Sequence, residues 1–357
     1  MKIKKIITVA GARPNFMKVA PILRLLDKSN KYKSVLVHTG QHYDYKMSDV
    51  FFKQLDIRDP NYHLDVKSGS HAQQTAKIMV AFEEICINEH PDLVIVVGDV
   101  NSTLACSVVA KKLHIKVAHI EAGLRSFDRE MPEEINRLIT DSISDYFFVT
   151  EKSGVENLLN EGHNDKKIFF VGNLMIDSLH YGLNKIKSEK KFSDEDYGLV
   201  TLHRPSNVDD PKQLKQVMSA LSEIAEELKL FFSIHPRTAQ IIKKNQITFS
   251  KDIEILEPLP YLSFLQLMRD SKIIFTDSGG IQEESTSLKI PCYTLRENTE
   301  RPITISQGTN RLVNPKKENI ISMFKKYRFN VNSDYKLPDG WDGKTSHRIL
   351  KIIDKVL

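Results

Sequence analysis

The sequence predicts an α/β protein built as two successive parallel-sheet halves, and three observations carry that expectation. Apolar runs such as Ile6-Ile7-Thr8-Val9 and Leu93-Val-Ile-Val-Val97 end at glycine-containing turns and lead into helical stretches. Hydrophobicity that is continuous, not alternating, marks strands buried on both faces. The 357 residues exceed one ordinary core. The alternation of strand and helix also stops in a charged stretch, Lys185 to Tyr197, and then restarts.

Composition narrows the function classes. With 41% hydrophobic and 27% charged residues the chain reads as globular. No apolar run reaches the roughly 18 residues that a membrane span needs, so no membrane partner is expected. Net charge is +5 with no Lys/Arg block, which argues against nucleic acid and is compatible with an anionic small ligand. Cys86, Cys106 and Cys292 lie in apolar surroundings without CxxC spacing, as free thiols in a reducing compartment would. Met1-Lys-Ile-Lys-Lys runs straight into a strand, so no secretory leader is expected and a cytoplasmic location is.

The first half opens with a strand from Lys4 to Ala10. It turns at Gly11-Ala-Arg13-Pro14-Asn15 into a helix expected from Phe16 towards Lys28, where Pro21 should kink or restart it. The turn is not G-x-G-x-x-G, and neither that fingerprint nor a Walker A loop occurs anywhere, so no dinucleotide cofactor is expected. Arg13, with Lys18 about one helical turn on, reads instead as a pair of phosphate partners. Ser34 to Gly40 is a second strand leading into Gln41-His42-Tyr43-Asp44. Helices are expected over Met47 to Leu55 and His71 to Asn88.

After Leu93–Val97, Asn101 or Ser102 is the expected cap of a helix burying Leu104, Ala105, Val108 and Val109. Lys116 to Ile120 is the next strand. Pro132 suits the first position of the following helix, and Glu133 and Glu134 suit its first turn. Ile135, Leu138 and Ile139 are expected to face inward, with Glu133 and Arg137 on the opposite face. Tyr146 to Val149 and Lys167 to Val171 close this half.

In the second half, strand Gly198 to Leu202 ends on His203-Arg204-Pro205, and strand Leu230 to Ile234 on His235-Pro236-Arg237. A histidine directly after a buried strand stands at the rim where ligands bind; no HExxH or comparable spacing supports a metal. Strand Lys272 to Thr276 runs into Asp277-Ser278-Gly279-Gly280-Ile-Gln-Glu283-Glu284, whose bare helix-start amides suit phosphate. Glu284, one turn in, is placed to accept from ribose hydroxyls. Pro291 to Leu295 is a further strand, followed by Arg296-Glu-Asn-Thr-Glu-Arg301-Pro302. A weakly ordered stretch is expected around Val331 to Gly343, carrying Trp341.

Asp99, Glu121 and Glu133 stand at the ends of consecutive elements. In an open α/β sheet such ends converge on one crevice. Taken singly, each acid reads as readily as a structural group, a helix cap or a surface ion pair, as it does as a functional one. Three like charges aimed at one crevice raise one another's pKa, which a chain tolerates where acid–base work needs it.

The chain resembles the non-hydrolysing UDP-N-acetylglucosamine 2-epimerases over almost its whole length. The motifs that carry the resemblance are Gly98-Asp99, His119-Ile-Glu121-Ala-Gly-Leu-Arg125, Pro132-Glu-Glu-x-Asn-Arg137, His203-Arg204, Asp277-Ser-Gly-Gly-Ile-Gln-Glu-Glu284 and Thr299-Glu-Arg301-Pro302. The resemblance implies two Rossmann-like α/β domains facing across a cleft, the glycosyltransferase-B architecture. Domains are then expected at 1–172 and 173–344, with helix 345–357 packing back on the first. It implies reversible C2 epimerisation of UDP-N-acetylglucosamine to UDP-N-acetylmannosamine for polysaccharide biosynthesis, without cofactor or metal, by a homodimer. Asp99, Glu121 and Glu133 would be the acid–base set, with His203 beside the leaving diphosphate. Arg13, Lys18, Ser278, Gly279, Gly280, Glu284 and Arg301 match positions that hold UDP, and Phe264 one that contacts the base. Arg137 and His235 join the substrate-binding candidates from their places beside the acids and on the strand rim.

Several positions depart from the family pattern. The first turn has Ala12 and Asn15 for the common threonine and glutamate, Val100 follows Asp99 in place of threonine, and Arg237 follows Pro236 in place of asparagine. Leu259 replaces a common glutamine, and Tyr43-Asp44 replaces the Arg-Glu of members activated by their own substrate. A 2-epimerase of a modified UDP-sugar and a hydrolysing epimerase are the alternatives. The hydrolysing type normally continues Arg-Ala-Asp in the first turn, against Arg13-Pro14-Asn15 here.

Overall fold

The computed structural model describes residues 3–40, 52–66, 69–186 and 191–357, without the side chain of Arg13. The chain divides into two units, Met1–Tyr181 with Asp339–Leu357, and Gly182–Pro338.

In the first unit β1 (Lys4–Ala10), α1 (Arg13–Asp27), β2 (Tyr32–His38) and β3 (Tyr62–His63) come first. They are followed by α2 (His71–Glu89), β4 (Leu93–Val97), α3 (Asn101–Lys112), β5 (Lys116–Ile120) and α4 (Pro132–Ile143). Next are β6 (Tyr146–Val149), α5 (Lys152–Asn160), β7 (Ile168–Phe170) and α6 (Leu174–Lys185), whose last residues already count to the second unit. The seven strands pair in the order β3-β2-β1-β4-β5-β6-β7, all parallel. Thr8 sits opposite Leu36 on one side and Ile95 on the other. Ile7, Val9, Val35, Val94 and Val96 pack with Ile78, Phe82, Ala105 and Val109 of the helices. Each of the larger side chains, the valines, isoleucines and Phe82, contributes about 1.5–3 kcal/mol on burial. Chain order reverses between β1 and β4, which makes the loops after these two strands the switch point where open α/β sheets bind ligands.

The second unit runs β8 (Tyr197–Thr201), α7 (Pro205–Val208), α8 (Pro211–Ala225), β9 (Lys229–Ser233), α9 (Pro236–Lys244) and β10 (Ile253–Leu256). It continues α10 (Tyr261–Arg269), β11 (Ile273–Thr276), α11 (Gly279–Leu288), β12 (Cys292–Thr294), α12 (Ile303–Ser306), β13 (Asn310–Leu312) and α13 (Lys317–Tyr327). Its six parallel strands follow β10-β9-β8-β11-β12-β13, with the reversal between β8 and β11. Those strands end at His203 and Asp277.

The last helix, α14 (Thr345–Val356), lies against α1 in the first unit. Asp177 of α6 accepts from the Thr345 and Ser346 amides at 3.0 and 2.8 Å and from the Ser346 hydroxyl at 2.7 Å. Trp341, expected in a weakly ordered stretch, is 1% exposed. Arg348 pins the backbone around it by donating to the carbonyls of Val171 and Gly340.

Other expectations need correction. Helix α1 begins at Arg13, not Phe16, and runs through Pro21 without a break. The cap of α3 is Val100, and Asn101 instead donates to Gln74 Oε1 at 2.9 Å. Leu104 and Val108 are only half-buried. In α4 the faces are reversed: Glu134, Asn136, Arg137, Thr140 and Asp141 are buried, while Ile135 and Ile139 are 39% and 38% exposed. The polar face goes in because its groups find partners there, as buried polar groups must. Glu134 accepts the amides of Ser126 and Phe127, each at 3.0 Å, and Asp141 accepts the Gly123 amide at 3.0 Å. The expected Gln41-His42-Tyr43-Asp44 turn lies outside the described residues, as do most of the Met47–Leu55 helix and part of the Lys185–Tyr197 connection.

Candidate active site

At the first switch point, β1 and β4 end side by side. The Asn15 carboxamide accepts from the Ala12 amide at 2.8 Å and donates to the Val97 carbonyl at 3.3 Å, tying the two loops together. One turn along α1, Lys18 is 7% exposed and its Nζ lies 2.5 Å from Glu121 Oε2. Glu121 is itself 6% exposed, and its Oε1 has no hydrogen-bond partner among the described residues. An uncompensated buried carboxylate oxygen is costly and needs an explanation. The backbone adds to that cost. Glu121 has φ 68°, the left-handed region that side chains other than glycine avoid by about 1–2 kcal/mol. Its turn is forced by the neighbours: Glu121 and Ala122 both donate to the Phe148 carbonyl. Gly123 lies so close to Gly154 that a Cβ there would stand 2.2 Å from the Gly154 carbonyl oxygen.

Asp99 accepts from Arg137 Nη2 at 2.6 Å and Nε at 3.1 Å, and Arg137 Nη1 reaches Glu134 Oε2 at 2.5 Å. Burial works against the Arg137 charge, but Asp99 and Glu134 outweigh it and raise its pKa above the ordinary value. Burial pushes the Glu134 carboxyl up, yet the amide bonds and Arg137 bring it below its usual range. Glu134 therefore orients Arg137, and Arg137 orients Asp99. Asn136 donates to the Asp99 carbonyl at 2.9 Å. Asp99 and Glu133 line one cavity of about 170 Å³ together with His71, Gln74, Asn101 and Asn136. Two of the expected acids thus meet there, and Glu121 is held by Lys18. The Arg13 side chain lies outside the described residues.

The second switch point is built around Asp277, which is fully buried. It accepts the amides of His203 and Arg204 at 3.0 and 2.9 Å and the Asn207 amide group at 3.2 Å, and it lies 2.9 Å from His203 Nδ1. Although burial pushes its carboxyl up, these donors set it below the ordinary range. His203 is thereby oriented by one ring nitrogen, leaving Nε2 for a ligand. Its neighbour His235 is the cap of α9, its Nδ1 accepting from the Arg237 amide at 3.2 Å. Burial, then His203 and Arg237, lower the His235 pKa.

Ser278 makes no side-chain cap bond, so the first amides of α11, from Gly279 and Gly280 on, are left uncapped by it. Beside them Arg301 pairs with Glu283 at 2.8 Å, and a Cβ on Gly279 would stand 2.8 Å from Arg301 Nη1. Arg296 grips Glu300 at 2.9 and 3.1 Å, with Arg204 3.6 Å away. Burial and then the nearby Arg296 lower the Arg204 pKa, against the pull of Glu300 and Asp277. An anion at the helix start would add to that pull. Arg204 and Arg296 were not among the expected contacts; Arg204 directly follows His203, which was, and Arg296 directly follows the expected strand Pro291 to Leu295. One turn into α11, Glu284 is buried and its carboxyl is pushed up to about 8, chiefly by burial. Tyr261 donates to it at 3.3 Å. Phe264, one turn further along α10, is half-buried on the same side as Tyr261.

Among the described residues no group of His, Cys, Asp and Glu is arranged to hold a metal ion, and no helix is long and apolar enough to cross a membrane. Residues 24–354 match the family described as UDP-N-acetylglucosamine 2-epimerase. A protein of Methanocaldococcus jannaschii named UDP-N-acetylglucosamine 2-epimerase is 43% identical over 98% of each chain. A crystal structure of the enzyme from that organism, in complex with UDP-GlcNAc and UDP, superposes with a TM-score of 0.89 over 98% of this chain and 99% of that one, at 43% identity. A UDP-2,3-diacetamido-2,3-dideoxy-D-glucuronate 2-epimerase of Pseudomonas aeruginosa is 38% identical over 99% of this chain and 100% of its own. The fold class expected from the motifs, two parallel-sheet α/β domains of glycosyltransferase-B type, is the one these neighbours share.

Proposed function

Because the chain belongs to the UDP-N-acetylglucosamine 2-epimerase family, we propose that it reversibly inverts C2 of UDP-N-acetylglucosamine to give UDP-N-acetylmannosamine. The C2 hydrogen is not acidic, so the C1–oxygen bond to UDP breaks ahead of proton loss and positive charge builds at C1. A carboxylate takes the C2 proton as the C1–C2 double bond forms. A carboxyl group on the other face then returns a proton to C2 while UDP re-forms its bond at C1. Carboxylates also stabilise the cationic transition state. Asp99, Glu121 and Glu133 supply these groups. The observation that supports this most is Glu121, kept in a strained backbone conformation with one oxygen on Lys18 and the other buried without a partner among the described residues.

UDP is held by Arg13 and Lys18 and by the α11 start with Ser278, Gly279, Gly280 and Arg301. His203, oriented by Asp277, faces the leaving diphosphate, and His235 and Arg137 contact substrate. Glu284 takes the ribose hydroxyls and Phe264 the base. Holding UDP through both half-reactions makes re-addition effectively intramolecular.

The protein acts as a cytoplasmic homodimer whose product feeds polysaccharide synthesis. Free buried thiols support the compartment. The dimer is supported by an apolar outer ridge on three neighbouring helices: exposed Val80 and Ile87 on α2, half-buried Leu104 and Val108 on α3, and exposed Ile135 and Ile139 on α4. On α2, exposed Lys77 and Glu84 flank Val80, so an antiparallel two-fold pairing sets Lys77 against Glu84 of the second copy.

Incubation in D₂O with EDTA and no added cofactor tests the reaction. Every epimerised molecule should carry deuterium at C2, read by NMR. Product retaining its original hydrogen would falsify the two-carboxylate route, and free N-acetylmannosamine in the same spectrum would mark hydrolysis instead. The Pseudomonas relative supports a second reading, a modified UDP-sugar as substrate. Turnover of the diacetamido uronate far faster than that of UDP-N-acetylglucosamine would decide for it.

A further inference from the structure

Between the two acid-bearing loops of the first unit lies a pair that no part of the reaction above uses. His119 stands two residues before Glu121 on β5 and is completely buried. Its Nε2 is 2.8 Å from the carbonyl of Gly98, the residue before Asp99. Its Nδ1 is 2.6 Å from Asp141 Oδ1 on α4. The other oxygen of Asp141 accepts the Gly123 amide at 3.0 Å, just beyond Glu121, and lies 2.7 Å from Arg125 Nη2. Arg125 goes on to Glu161 at 2.6 and 2.7 Å.

A carbonyl oxygen only accepts. The Asp141 carboxyl is pushed up by burial, but His119 and Arg125 hold it below the usual range, so it is ionised and only accepts as well. Both ring nitrogens of His119 therefore face acceptors, and hydrogen-bond accounting puts a hydrogen on each. We infer that the buried His119–Asp141 pair is a positioning unit for catalysis: a doubly protonated imidazole braced by Asp141 that sets the spacing between the Asp99 loop and the Glu121 turn. The inference rests on the epimerase reading. Its two ends grip the main chain next to each acid: the carbonyl before Asp99 and the amide two residues after Glu121. Apolar filling of the same volume would serve stability as well or better, since burying an ion pair is a poor source of it. What apolar side chains would not supply is a fixed distance between two loops.

The test compares wild-type protein with Asp141→Asn and His119→Gln, each checked for folding by circular dichroism. We expect kcat for epimerisation to fall about 10- to 100-fold in both, with KM and the UDP Kd within about threefold of wild type. A folded variant with kcat within threefold of wild type would overturn the inference, as would a loss carried by KM and UDP affinity instead. Wild-type protein labelled with ¹⁵N-histidine supplies a second readout that needs no variant to fold. At neutral pH one buried imidazole should show hydrogens on both nitrogens, with signals lost in His119→Gln or, if that chain does not fold, assigned through contacts to Gly98 and Gly123. A bare nitrogen on that ring would overturn the inference equally. If wild-type protein proves inert towards UDP-N-acetylglucosamine, the epimerase reading fails by itself, and the imidazole signals still decide whether the brace exists.

Discussion

Glu121 and Glu284 are both buried acids, and their surroundings prepare them for different work. Glu121 has a cation against one oxygen, whereas Glu284 has a phenol and a second carboxylate nearby. Asp99→Asn and Glu121→Gln should each lower kcat by about 10²–10⁴ while leaving UDP affinity within several-fold, measured by turnover and calorimetry. For Glu284 the pH dependence is the test. Its folded carboxyl keeps a proton up to about 8, well above the pH at which an unfolded glutamate loses it. Between those two points stability therefore falls as pH rises. Ribose hydroxyls donating to Glu284 need the carboxylate, so UDP binding should release a proton at pH 7. UDP affinity should improve towards pH 8, by up to about tenfold per unit, and the calorimetric enthalpy should change with the buffer's ionisation heat. Both effects should vanish in Glu284→Gln.

At the scale of elements, α4 is the most instructive. Its apolar residues lie on one stripe, and a stripe reads as core. The helix turns that stripe outward because Glu134, Arg137 and Asp141 together satisfy backbone amides and side chains underneath. Partners supplied by other elements are invisible in a single stretch of sequence. If the stripe is a subunit contact, Ile135→Glu combined with Ile139→Glu should shift the protein to monomer in light scattering, without loss of secondary structure. Elements that end on a chemical motif were legible: β4 with Gly98-Asp99, β11 with Asp277, and the uncapped start of α11. Short edge strands such as β3 and β13 were not, because two or three residues hold no periodicity to read. The meeting of Arg204 and Arg296 at Glu300 was hidden for another reason: each follows the end of a strand with no local sign of that partner, and only the fold brings them together. His71 in the Asp99 cavity had no signal at all.

For the whole molecule, the division into units gives stability a structure of its own. The second unit is one contiguous segment, while the first is closed by α14 from the far end of the chain. Asp177 makes three hydrogen bonds to the start of that helix. Losing such a cap typically costs about 1–2 kcal/mol. In a unit of this size that lowers Tm by roughly 2–8 °C. Asp177→Ala should therefore shift one calorimetric transition, that of the first unit, and leave the other where it is. Equal shifts in both transitions would mean that the units unfold as one.

The placement of α14 also bears on how the protein is made. Chains usually fold domain by domain from the N-terminus as they leave the ribosome. Here the first unit cannot close until the last residues of α14 are out, whereas every residue of the second unit has already emerged. The order of completion is then reversed with respect to the order of synthesis. Without α14 the surface of α1 that it covers stays open, and a released chain truncated before Thr345 should be cut by protease in its first unit while its second resists.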